Sequence, residues 1–288
     1  SSDVKEQWRD GTVGFFAADG GHPAAELAIW NDMTRAHLHR RWFVNDPDCL
    51  LVRERDSRLT RPEIETLCSV LALSGGSLFL SDDMSRLSSE RRALAERTLP
   101  VREGGPDCRA YVPGLLTEKR PSRFLRRRQH PDGPEVLAAV INWGDGEATR
   151  RIQLADLDLR SKSGQPDRPA SGYWHCYEHW RGRYQLLSAD DALTLTLPPH
   201  GTALLCIQPQ RLCPRSGRPR PQLVSLSHHA TQTLGVQLRE AWDGERLELQ
   251  VALELGARRA GELFLHLPPG YSLREASSDS PTRIKVQD

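Results

Sequence analysis

The sequence predicts the end of an α/β barrel over residues 1–100, then antiparallel β-sandwich units over 101–210 and 211–288. Two observations carry this. Before residue 100, helical and strand-like patterns alternate, and each strand-like run ends on carboxylates. Beyond it, helical periodicity nearly vanishes and short alternating apolar segments recur between turn signals.

The first elements follow in order. Pro23 opens a helix running to about Arg40, with Leu27, Trp30, Thr34 and Leu38 along its expected apolar face. The compact apolar stretch Trp42-Phe43-Val44 runs into Asn45-Asp46-Pro47-Asp48. Thr60 caps the next helix, and Glu63 closes a capping box with it. Ile64, Leu67, Cys68 and Leu71 form that helix's buried stripe, and Gly75 suits its left-handed stop. Ser77 to Ser81 reads as a short strand ending on Asp82-Asp83. A third helix starts near Ser89 and is bounded by Pro100, with Glu90, Arg91, Arg92, Glu96 and Arg97 on a solvated face. In α/β barrels the loops after the strand carboxyl ends form the active site. That makes Asp46, Asp48, Asp82 and Asp83 candidate substrate-binding residues. An aspartate at a strand end serves equally well as a helix cap or turn former, so on the residues alone both readings stand.

From about residue 109 the pattern is that of antiparallel sheets. Leu137, Ala139, Ile141 and Trp143 alternate ahead of an Asp145-Gly146 turn. Leu193, Leu195 and Leu197 alternate before Pro198-Pro199-His200-Gly201, and Ala203 to Ile207 forms another strand. Asp243-Gly244, flanked by Val236 to Leu238 and Leu247 to Val251, is a hairpin signal. Residues 209–221 hold four prolines and four arginines, which fits a junction between β units or a long inter-strand loop.

Composition bounds the function. The chain has 39 basic and 38 acidic residues in 288, a balance that argues against nucleic acid or an anionic membrane as partner. No apolar run reaches the about 18 residues that span a bilayer. Six cysteines (49, 68, 108, 176, 206 and 213) show no framework spacing, so a reducing cytoplasm is the expected compartment. His175 and His179 have metal-chelating helical spacing, but the segment reads as a strand. There they lie roughly 13 Å apart, too far to share an ion, so no metal site is expected. Arg126-Arg127-Arg128 reads as a solvated edge strand, its charges discouraging unwanted pairing. His37 and His39 flank a helix end, where they could satisfy carbonyls. No phosphate loop or nucleophile elbow is present.

The segments Trp42 to Leu50, Leu71 to Gly76 and Leu80-Ser81-Asp82-Asp83 to Leu87, with Glu90-Arg91, resemble motifs of the melibiase-type α-galactosidases of glycoside hydrolase family thirty-six. There they correspond to the seventh and eighth barrel strands. Asn142-Trp143, Trp180, Pro199-His200-Gly201 and the stretch from Leu223 to Gly235 resemble the family's C-terminal domains. The resemblance implies retaining hydrolysis of terminal α-galactosides by two aspartates, without cofactor or metal. Ser1-Ser2-Asp3-Val4 fits the end of the acid/base motif, which makes Asp3 the general acid/base. The family's nucleophile has no counterpart in this chain. By itself the chain is therefore expected to be poorly soluble and inactive, with its last β unit cut short. α-N-Acetylgalactosaminidase and galactosyl transfer are the alternatives on the same fold. A carbohydrate-binding or structural β module is the alternative of another class.

Overall fold

The computed structural model describes residues 7–9, 24–102, 108–130, 132–157, 159, 169–235, 238–253, 261–278 and 282–287. Helix α1 (Ala25–Arg35) leads through a 3-10 turn (Ala36–Leu38) toward strand β1 (Cys49–Leu50). Helix α2 (Arg61–Ser74), strand β2 (Phe79–Leu80) and helix α3 (Ser89–Thr98) follow. β1 and β2 pair in parallel, with Cys49 opposite Phe79 and Leu50 opposite Leu80. A parallel pair needs a crossover, and α2 supplies it.

The expected start and stop of α2 are in place. Glu63 accepts the Thr60 backbone N–H at 2.6 Å, and Gly75 closes the helix at φ 70°. Every residue from Glu63 to Ser74 is buried, because α1 and α3 cover one side and the β-sheet covers the other. Burying Ile64, Leu67, Leu71 and Leu73 contributes about 1.5–3 kcal/mol each. α1 presents a different face from the expected one. Ala25, Ala28, Ile29, Asp32, Met33 and Ala36 are buried, whereas Leu27, Trp30, Thr34 and Leu38 are only partly covered. The alanines permit close approach to α2, which the larger side chains would block. Pro23 lies outside the described residues.

Strands β3 (Arg109–Tyr111), β4 (Arg123–His130), β5 (Gly133–Ile141), β7 (Tyr173–Glu178), β8 (Arg183–Ser188) and β10 (Thr202–Pro209) form one antiparallel sheet in the order β3-β4-β5-β10-β7-β8. β6 (Ala148–Gln153) pairs with β9 (Ala192–Leu197) and covers one face of it. α2 covers the other. β5 is therefore buried on both faces: Val136, Ala138 and Val140 point to the β6–β9 side, while Leu137, Ala139 and Ile141 join the helical core. One alternating stripe was visible in the sequence; the second appears only once the helices pack.

Two expectations change here. Arg126 and Arg127 do not lie on an edge, because β3 pairs beyond them. Arg126 is buried, and Arg128 pairs with the buried Glu135. Arg127 is half-buried and meets Gln129, so the three arginines have three different surroundings rather than one solvated face. Trp42-Phe43-Val44 is not the strand that opens the parallel pair either: all three are exposed, Trp42 by 83%.

Beyond β10, residues 209–221 double back through a Leu212–Pro219 bridge. β11 (Gln222–Leu226) pairs with β14 (Gly261–His266), which runs parallel to β15 (Thr282–Gln287). β12 (Leu238–Asp243) and β13 (Glu248–Leu253) form the hairpin signalled by Asp243-Gly244. Tyr177, Val224 and Phe264 make the small apolar contact between this unit and the sheet. The surrounding contact is polar. Glu240 accepts from Arg211 and Arg220 at 2.7 and 2.8 Å and from the Leu223 N–H at 2.9 Å, and Arg211 also reaches Glu135 at 2.9 Å.

Candidate active site

The aspartates singled out in the sequence fall at opposite ends of the β1–β2 pair. Asp46 and Asp48 precede β1, because the chain becomes extended beside β2 only after Pro47. Asn45 sets this entry. Its amide donates to the Asp32 backbone carbonyl at 3.1 Å and to the Asp32 carboxyl. Its own N–H reaches His39 Nδ1 at 3.0 Å, and its carbonyl accepts from Ser77 at 2.9 Å. Gly76 lies so close that an added Cβ would come within 2.0 Å of the Asn45 carbonyl oxygen. Burial pushes the Asp32 carboxyl up to about 8. His39 thus accepts a backbone N–H rather than satisfying a helix carbonyl. Asp46 accepts the Asp48 N–H at 2.9 Å in a local turn, and Asp48 takes φ 73°. The strand-end position assigned to Asp46 and Asp48 is therefore corrected: both sit at the amino end.

Asp82 and Asp83 do follow a strand, β2. Asp82 is enclosed, with Oδ2 accepting the Val52 N–H at 2.6 Å and Oδ1 meeting Arg53 at 3.2 Å. It ties the segment leaving β1 to the segment leaving β2. Asp83 is open to solvent and accepts from the Ser85 hydroxyl and N–H at 2.6 and 3.0 Å. Those bonds hold its carboxyl below the usual range. Beside them lies an open cleft of about 390 Å³, lined by Arg53, Glu54, Arg55, Asp56, Asp83 and Arg86 among others. The arginines and the acids from 53 to 56 were not anticipated. Their signal was available: Arg53-Glu54-Arg55-Asp56 interrupts the apolar run Leu50-Leu51-Val52 abruptly, with all four charges consecutive. Asp3 lies outside the described residues.

A second unanticipated cluster joins the helical part to the sandwich. His200, at φ 56°, meets Glu63 Oε1 through Nδ1 at 2.7 Å and Asp145 Oδ1 through Nε2 at 2.8 Å. The Trp8 ring stacks on it at 4.7 Å. Arg9 bridges Glu26 and Asp145 at 2.8 and 2.6 Å and donates to the Trp143 carbonyl. The chain just after residue 6 is thereby pinned to both the α2 amino end and the sandwich. His200 was quoted in the sequence as part of a strand entry; its carboxylate partners come from 137 and 55 residues away.

No family model matches the chain. Its fold matches solved structures. One is an α-galactosidase from Mortierella vinacea, at TM-score 0.55 and 16% identity, covering 73% of this chain and 52% of that one. An α-galactosidase from Saccharomyces cerevisiae matches at TM-score 0.51 and 16% identity, with 73% and 58% covered. A family twenty-seven β-L-arabinopyranosidase from Geobacillus stearothermophilus matches at 0.51 and 14%, with 72% and 44% covered. The fold is shared. The chain spans about half the length of the structures it matches.

His175 lies within β7 and His179 just after it; both are buried. Burial pushes each imidazole down, to about 3. The six cysteines are free thiols. Among the described residues no helix is long and apolar enough to cross a membrane.

Proposed function

We propose that this chain is part of a retaining α-galactosidase-like glycoside hydrolase, with terminal α-galactosides as substrates. The carrying observation is the shared fold together with the charged cleft beyond β2. A parallel strand pair, crossed by a buried helix and followed by a sandwich, opens its carboxyl end onto Arg53, Asp83 and Arg86. In a barrel that end carries the chemistry. The residue motifs at 42–50 and 71–91 favour a melibiase-type enzyme of family thirty-six.

In this reading residues 1–100 form the last part of the catalytic barrel, and Asp3 is the general acid/base. It protonates the departing oxygen, then activates the water that releases the sugar. A second aspartate, from a part of the parent protein that this chain does not match, attacks the anomeric carbon. The two carboxyl groups must stand about 5–5.5 Å apart for retention. Asp82 holds the loop at Val52 and Arg53 in place, and Asp83 with Arg53 and Arg86 offers hydrogen bonds to sugar hydroxyls. The Trp8–His200 stack and the Arg9 bridges support this reading. They fix the chain a few residues beyond Asp3, which would restrict where that carboxylate can sit.

The test is Asp3→Ala in the full-length protein. Hydrolysis of α-galactosides with poor leaving groups should fall about 10²–10⁴-fold, while activated aryl α-galactosides suffer far less at the glycosylation step. Equal losses on both classes, or no α-galactoside turnover by the unmodified protein, would reject the assignment.

A further inference from the structure

The seam between the sheet and the β unit that follows it holds a chain of three titratable side chains that the proposed chemistry does not use. His175 on β7 meets the Tyr184 hydroxyl on β8 through Nδ1 at 2.8 Å, and the same hydroxyl meets Nδ1 of His266 on β14 at 3.2 Å. The two imidazole centroids stand 4.6 Å apart, and both histidines are buried. A phenol has one proton, so Tyr184 donates to one Nδ1 and accepts from the other. One imidazole therefore carries its proton on Nδ1 and the other accepts there. The chain is complete with both rings neutral. A proton added to the accepting ring turns both Nδ1 atoms into donors toward one oxygen and strands the Tyr184 proton.

The groups around this chain set its response to acid. Arg211, from the segment after β10, and His266 both oppose a proton on His175, with Gln222 of β11 beside it. Glu135, Glu240 and Asp132 reach Arg211, and Glu262 of β14 acts on Tyr177. On β7 and β8 the titratable neighbours are Cys176, Tyr177 and Tyr184 itself. β15 places Gln287 opposite His266 and Lys285 opposite Phe264. Burial pushes both imidazoles down. The apolar cluster across the seam is small, formed by Tyr177, Val224 and Phe264 with Tyr184 packed beside them. Polar bonds make up much of the rest: Gln208 donates to the Val224 carbonyl at 2.7 Å, and Gln222 accepts the Arg211 N–H at 2.7 Å.

We infer that the His175–Tyr184–His266 chain is an acid-sensitive latch: with both rings neutral it holds β14 against β7 and β8, and protonation opens that seam while the sheet itself stays folded. Opening lets each ring take its proton in water, where a cation is well solvated, instead of within the buried seam. Ala230 and Leu234, between β11 and β12, are buried in the helical core, so the unit stays attached there when the seam opens. The latch stands independently of the hydrolase reading.

Hydroxyl-radical footprinting of the full-length protein from pH 7 to pH 5 reads the solvent access of individual side chains and tests this. In the open seam a histidine titrates near 6.5, so the ratio of open to closed rises about 25-fold per histidine over that interval. Tyr177, Tyr184 and Phe264 should gain reactivity together, and below pH 6 the logarithm of the ratio should climb by about two per pH unit. Trp174 and Phe124, in the cores on the two faces of the sheet, should stay protected. His266→Gln keeps a polar partner for Tyr184 and takes no proton, so its slope should fall to about one. His175→Gln carries the same expectation and serves as an independent second variant. A seam that stays protected down to pH 5 would overturn the inference. So would reactivity gained by Trp174 or Phe124 in the same step, or a slope that both variants leave unchanged.

Discussion

Acidification should weaken this protein through His175 and His179, and the size of the effect follows from their burial. Both are enclosed, and burial holds both imidazoles down to about 3. Neither ring nitrogen of His179 has a hydrogen-bond partner among the described residues. Its ring lies edge-on to Trp180 at 4.8 Å, and Arg97 and His229 further oppose a proton there. His175 faces Tyr184 through Nδ1 at 2.8 Å, with His266 and Arg211 opposing its protonation. The folded state therefore keeps both neutral, while an unfolded histidine titrates near 6.5. Stability is fully present above that value and is lost as pH falls from about 6.5 toward 3. Between pH 7 and 5 each histidine removes about 2 kcal/mol, so the pair removes about 4. Against a typical total of roughly 5–15 kcal/mol that is a large share. Urea unfolding at pH 7 and pH 5, for the protein and its His179→Leu variant, reads it directly. The variant should lose about half as much stability over that interval. It should be no less stable than the parent at pH 7, since leucine leaves no buried polar nitrogen unpaired. An identical pH dependence in the two proteins would refute the argument.

Two further substitutions probe packing. Gly76→Ala pushes a methyl into the Asn45 carbonyl and should cost about 2–4 kcal/mol, seen as a lower unfolding midpoint. Glu240→Ala leaves the buried Arg211 without one partner and should cost about 3–5 kcal/mol, with protection from hydrogen exchange lost first in β11 and β12. An unchanged midpoint in either case would mean that the site relaxes at little cost.

Much of the local structure was legible because its causes are local. The capping box at Thr60 and Glu63, the stop at Gly75, the hairpin at Asp243-Gly244 and the strand alternation in Leu193 to Leu197 depend on neighbours within a few residues. The motif resemblance at 42–50 and 71–91 also pointed to the fold that the solved structures share. What sequence could not place was anything set by a distant partner. Trp42 to Val44 looked like a strand because it is apolar, but Asn45 is tied to Asp32, His39 and Ser77, and that network delays the strand to Cys49. The delay places Asp46 and Asp48 at the amino end of the strand.

The arginines show the same division. In sequence, Arg126 to Arg128 is a charged run, and a charged run ordinarily faces water. In the structure β3 pairs beyond β4, Arg126 is buried and Arg128 meets the buried Glu135. His200 likewise gains its two carboxylates from α2 and from the loop after β5. The sequence by itself determined the capped start and glycine stop of α2 and the Asp243-Gly244 turn, since those preferences act over three or four residues. Tertiary structure alone decided which end of β1 carries acids, which arginines are buried and which histidines are denied a proton. Those properties arise from burial and from charges that only the folded chain brings together, as His200 meets Glu63 across 137 residues, and no local pattern encodes either.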